Sequence, residues 1–128
     1  MAKTRSKLVR ELDRVFSIYI RMRDANLDGF AECVTCGKVD QWKSLQCGHF
    51  MSRGKYATRW DEQNCGTQCK KCNIFNQGEQ FKFSIHLDQR YGEGSSDALL
   101  LRSNQTVKFS NDELKQMIEV YKEKIKDL

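Results

Sequence analysis

The chain has 128 residues, 39% hydrophobic and 30% charged, which is the balance of a soluble globular domain and too polar for a membrane span. A formal net charge of +5 and a pI near 8.9 favour polyanionic partners without naming one. Its basic start, Lys3 to Lys7, runs into an amphipathic segment and not an apolar signal core, so secretion is not expected. In a reducing cytoplasm the six cysteines more often hold metal than form disulfides.

From Lys7 to Arg23, Leu8, Leu12, Val15, Phe16, Tyr19 and Met22 recur at three- and four-residue spacing, which predicts a long helix with one core-facing stripe. Asn26-Leu27-Asp28-Gly29 ends it with turn formers. Between Cys33 and Asn73 no helical period survives. Short runs near Trp42 to Phe50 and Asn64 to Gln68 fit brief strands around a polar loop. Asn73 to Tyr91, with Phe75, Phe81, Phe83, Ile85 and Leu87, reads as helical with an interruption at Gly78, and Tyr91 to Ser96 reads as its end and a flexible connection. Ser110 and Glu113 match a capping box ahead of an apolar stripe at Leu114, Met117, Ile118, Tyr121 and Ile125. The expectation is one α+β domain over 1–128. It comprises an N-terminal helix and basic arm in 1–32, a zinc-braced core in 33–92, and a linker with a C-terminal helix in 93–128.

Cys33-Val34-Thr35-Cys36 and Cys69-Lys70-Lys71-Cys72 are two CxxC knuckles, and together they offer zinc four thiolates. Such a closed shell has no open position, so the zinc would be structural and any chemistry would lie elsewhere. Cys47 and Cys65 read as packed free thiols, and His86, inside a helical run, reads as structural. His49 lies between the knuckles, Asn64 falls in the next short strand, and Asn73 follows the last cysteine. Zinc would draw these three toward one face. Arg53, Lys55 and Arg59 form a loop without acidic residues, with Tyr56 and Trp60 interleaved, a pattern suited to nucleic-acid phosphates and bases. Trp60 serves equally well as core. Lys3, Arg5, Lys7 and Arg10 form a second basic run, fit either for a flexible arm along DNA or for a solvated helix start.

His49, Asn64 and Cys69-Lys70-Lys71-Cys72-Asn73 resemble the HNH, or His-Me finger (ββα-metal), nuclease motif. More closely, Cys33 to Gly37, Cys47-Gly48-His49-Phe50, Thr58 to Cys65 and Gln68 to Asn73 resemble the lambdoid phage NinG (Rap) recombination protein family. This resemblance implies a ββα-metal core between flanking helices and a phage protein working in the cytoplasm of a bacterial host. It implies an endonuclease that cuts branched DNA such as Holliday junctions and D-loops, with Lys70 and Lys71 beside the basic loop on DNA and a homodimer as one possible assembly. His49 would be the general base, Asn64 would fix its backbone, and Asn73 would hold Mg²⁺ or Mn²⁺. Two departures stand out: Gly48 occupies a position where a metal-binding aspartate or histidine is common, and Asn73 replaces histidine. Asp40, Asp61 and Glu62 are then candidates for a further ligand. The rival readings are a non-catalytic zinc-finger DNA-binding module and a recombination adaptor that offers the Leu114 to Ile125 stripe to a partner.

Overall fold

The computed structural model describes residues 3–128. Helix α1 (Arg5–Arg23) starts where the Thr4 side chain accepts from the Lys7 amide and ends with Arg21 and Arg23 in its last turn, complementing the helix dipole. Its buried stripe is Leu8, Val9, Leu12, Val15, Phe16 and Ile20, while Tyr19 and Met22 are half-buried at the margin. Helix α5 (Asn111–Lys126) forms the expected capping box, with reciprocal bonds between Ser110 and Glu113. Its buried residues Leu114, Ile118 and Tyr121 pack on α1, where the Phe16 and Tyr121 rings meet edge-on with centroids 4.9 Å apart. The α5 stripe is therefore filled from within. The stripe that the rival adaptor reading offers to a partner is thus occupied by α1.

Between these helices lie two antiparallel hairpins: β1 (Phe30–Glu32) with β2 (Val39–Gln41), and β3 (Gln46–His49) with β4 (Cys65–Gln68). Trp42 to Ser44, expected within a strand, is a 3₁₀ turn. The β1–β2 pair went unforeseen because three-residue strands leave no periodic trace. A short helix α2 (Tyr56–Arg59) interrupts the loop from β3 to β4.

After β4 the chain makes one wide π turn, Lys71–Phe75, and then breaks at Gln77, Gly78 and Glu79, all with positive φ. Helix α3 (Gln80–Tyr91) resumes beyond the expected interruption and buries Phe83 and Leu87; Phe75, Phe81 and Ile85 stay exposed. The segment taken for a flexible connection is corrected from Ser95 onward: α4 (Ser95–Ser103) forms there, burying Leu99 against Phe50, Phe83 and Leu87. Its start is hidden by Gly92 and Gly94, which read as a linker and instead supply the left-handed turn between α3 and α4. Three small cores result: α1 with α5 and Trp60, the cysteine region with Ala31 and Leu45, and α3 with α4 and Phe50.

Candidate functional site

The four knuckle sulfurs come together, with all Sγ atoms within 4.8 Å of one another and Cys36 and Cys69 at 3.6 Å. Cys33, Cys69 and Cys72 are buried and Cys36 is exposed. Burial pushes the Cys33 thiol up, but hydrogen bonds from the Thr35 hydroxyl and from the backbone of Cys69, Thr35 and Cys36 outweigh it and bring Cys33 down to about 6. Backbone donors aimed at sulfur suit bound thiolate. This donor set can hold a zinc ion and would close its shell.

Strand alternation builds the second cluster. Antiparallel register sets His49 opposite Cys65 and Cys47 opposite Thr67, so Cys47, His49 and Cys65 share one face of the β3–β4 hairpin. Gly48 belongs to the other face, where a Cβ would sit 1.8 Å from Gln68 Oε1. A side chain there would have to push the Gln68 carboxamide out of its buried place. Glycine before His49 thus leaves room for the Gln68 carboxamide, which donates to the Thr35 hydroxyl and to the Gly78 carbonyl.

His49 and Asn73 both line two adjoining clefts. The larger, about 540 Å³, adds Asp13, Ser17, Arg21, Gln46, Cys47 and Arg53; the other, about 390 Å³, adds Met51, Ser52, Lys55 and Gln77. His49 Nε2 lies 2.9 Å from the Arg59 carbonyl, which only accepts, so Nε2 carries the proton and Nδ1 is the free lone pair. Burial holds the His49 pKa below its ordinary 6.5, which keeps the ring neutral at neutral pH.

Asn64 is fully buried. Its Oδ1 accepts from the Met51 amide at 2.8 Å, its Nδ2 donates to the carbonyls of Met51 and Thr58 at 3.0 Å, and its own carbonyl accepts from Phe50. These bonds clamp the chain on leaving His49. Asn73 Nδ2 donates to Gln46 Oε1 at 2.8 Å, so the Asn73 carbonyl oxygen is left out of that bond.

Of the basic residues, Arg53, Lys55, Lys70 and Lys71 are exposed. Arg59, expected on DNA, is turned inward: its guanidinium makes a paired contact with Asp13 at 2.6 and 3.1 Å and donates to the Arg53 carbonyl. Asp13 also accepts from the Trp60 indole, which fixes Trp60 as core. The basic run at the start is no free arm either, since Lys3 pairs with Glu11 and Arg5 with the Phe109 carbonyl; Lys7 and Arg10 are exposed on α1.

The extra acidic candidates go elsewhere. Asp61 holds Arg102, Glu62 accepts from Tyr19, Tyr121 and Lys124, and Asp40 accepts from the Gln41 amide. None of the three lines the clefts shared by His49 and Asn73. His86 also lies outside them, half-buried on α3 beside Phe83. Asp13, Gln46 and Arg21 are the cleft residues that sequence reasoning missed. Their partners are distant in sequence: Asp13 meets Arg59, Gln46 meets Asn73, and Arg21 reaches the carbonyls of Trp42 and Leu45.

A family model described as "Bacteriophage Lambda NinG protein" matches residues 1–128. Proteins named ninG from Escherichia phage 933W, Salmonella phage P22 and Escherichia phage lambda are each 27% identical to this chain over 129 residues. Each match covers 98% of this chain and 60%, 60% and 59% of the relative, so the chain spans about 60% of their length. No solved structure matches.

Proposed function

We propose that this chain, which belongs to the bacteriophage lambda NinG protein family, is a metal-dependent DNA endonuclease of the HNH kind that cuts at the His49–Asn73 clefts. The observation that carries the reading is the pairing itself: a half-buried, oriented imidazole and the Asn73 carboxamide line the same two clefts, with the exposed cations Arg53 and Lys55 at the rim. His49 Nδ1 would take a proton from a water attacking the phosphodiester, because its Nε2–H is engaged by Arg59 and the ring is neutral. Asn64 is a positioning residue that acts through the chain following His49. Asn73 Oδ1 would hold a Mg²⁺ or Mn²⁺ ion, with water and phosphate oxygens in the remaining positions, as Mg²⁺ prefers to keep much of its hydration. When bound, such an ion stabilises charge on the leaving 3′ oxygen.

Arg53, Lys55, Lys70 and Lys71 would meet the DNA backbone, and Arg59 would keep the 53–59 loop in shape. Branched recombination intermediates, such as Holliday junctions and D-loops, are the substrate class this reading takes from the resemblance.

The deciding experiment offers labelled four-way junction, D-loop and plain duplex to the chain carrying a single zinc, in its knuckles, with and without Mg²⁺ or Mn²⁺. Cutting of branched DNA by the wild type and by His86→Ala, with binding but no cutting by His49→Ala, is the expected result. Undiminished cutting by His49→Ala overturns the assignment. Binding with no cutting by the wild type points instead to a DNA-binding module.

A further inference from the structure

We infer that Cys47, His49 and Cys65 form a second metal site, separate from the knuckles, at which a thiophilic divalent ion such as zinc binds and silences the cleft. The silencing half rests on the nuclease reading above; the binding half does not. One ligand atom from each of the three residues lies within 4.8 Å of the others. Tetrahedral zinc spaces sulfur and nitrogen donors about 3.5 to 3.8 Å apart, so shifts of no more than roughly 1 Å within one hairpin complete the triangle.

The hairpin itself fixes the arrangement, with His49 directly across from Cys65 and Cys47 two residues back on the same face. The bond from His49 to the Arg59 carbonyl is the outer contact that usually orients a metal-binding imidazole, and with Nε2 engaged there Nδ1 is the nitrogen with a lone pair to offer an ion. Cys47 and His49 line the larger cleft, which gives the ion an entry, while Cys65 is 1% exposed and closes the site from behind.

Two cysteines and a histidine are a set that leaves a fourth position for water. Thiolate ligands select zinc, cadmium or cobalt and exclude Mg²⁺, whose place would be at the oxygen of Asn73. Binding releases one proton from each thiol to solvent and occupies the lone pair on which His49 would otherwise accept a proton. Ion and base function are therefore mutually exclusive.

The test uses the whole chain with its knuckles already zinc-filled, under a phosphine reductant, titrated with Co²⁺ or Cd²⁺. Thiolate-to-metal absorption and metal content after desalting are read together. The wild type should take up one further equivalent; Cys47→Ala and Cys65→Ala should take up none while still melting cooperatively. Branched-DNA cutting by the wild type should fall at least tenfold with that equivalent, and the two variants should resist it. Wild-type uptake that stops at the knuckles, or variants that bind like the wild type, overturns the site. Full uptake with unchanged cutting overturns the silencing. If no DNA is cut under any condition the nuclease reading fails, and the stoichiometry still decides the site.

Discussion

Asn64 forms three side-chain hydrogen bonds in a place water does not reach. Asn64→Ala would leave the Met51 amide and carbonyl unpaired, while the Thr58 carbonyl would keep its bond from the Asp61 amide, so we expect a loss on the order of 2–4 kcal/mol. The measurement is a lower denaturation midpoint at unchanged m-value, with Asn64→Asp no better, because it keeps the acceptor but loses both donated bonds and buries a charge. Asp24 makes a different kind of claim. Burial raises its carboxyl, but bonds and charge from Arg23, with Arg90 and Thr67 contributing, outweigh this and hold it below the ordinary 3.8. A depressed folded value stabilises the protein above the unfolded pKa and loses that stabilisation as pH falls through the folded one. The cost should therefore appear below about pH 4, from protonation of a carboxylate that ties α1 to β4 and α3. Asp24→Asn should melt lower than wild type at pH 7, on the order of 2–3 kcal/mol, because it removes the charge partner of the half-buried Arg23, which keeps only its carbonyl bonds to Glu62 and Cys65. The gap should shrink in acid; a constant gap would show that Asp24 acts by shape and not by charge.

Helices α1 and α5 form one packed pair, and Ile118 lies at its centre. Ile118→Ala should cost about 2–4 kcal/mol from lost burial and the cavity left behind, and Ser110→Ala about 1 kcal/mol from the lost cap. Neither should change the oligomeric state in sedimentation, since the face they disturb is filled internally. These two helices were legible because a 3.6-residue period and a capping box are local signals that tertiary contacts reinforce. Helix α4 was not, since Gly92 and Gly94 precede it, two serines open it, and its Leu99-Leu100-Leu101 run has no period. The candidate site divides the same way. The convergence of the four knuckle cysteines was readable from their spacing; His49, Asn64 and Asn73 were singled out by their place relative to the knuckles and by resemblance, and the clefts bring His49 and Asn73 together. The inward turn of Arg59 was not readable, because its partner Asp13 lies 46 residues away. Nor was the reason for Gly48, which depends on where Gln68 lies across the sheet.

At the scale of the whole molecule, stability is divided among three cores, and the middle one is small: Ala31, Cys33, Leu45, Cys69 and Cys72. Without zinc, that core has too little apolar surface to order the hairpins around it. Chelation should therefore abolish amide-exchange protection across 30–50 and 65–78, while α1 and α5 keep much of theirs and helical circular dichroism falls only in part. Uniform loss of protection would mean that the metal and the helix pair fold as one unit. The knuckles also lie far apart in the chain, and this bears on how the protein comes into being. At about 5–20 residues per second, a ribosome delivers Cys69 some seconds after Cys36, and during that interval a lone CxxC is a two-point grip from which other zinc carriers can take the ion back. Newly made chains in a zinc-poor cell would thus accumulate with their helices finished and their cleft unfinished, and the cell's metal supply would set the pace at which competent molecules appear.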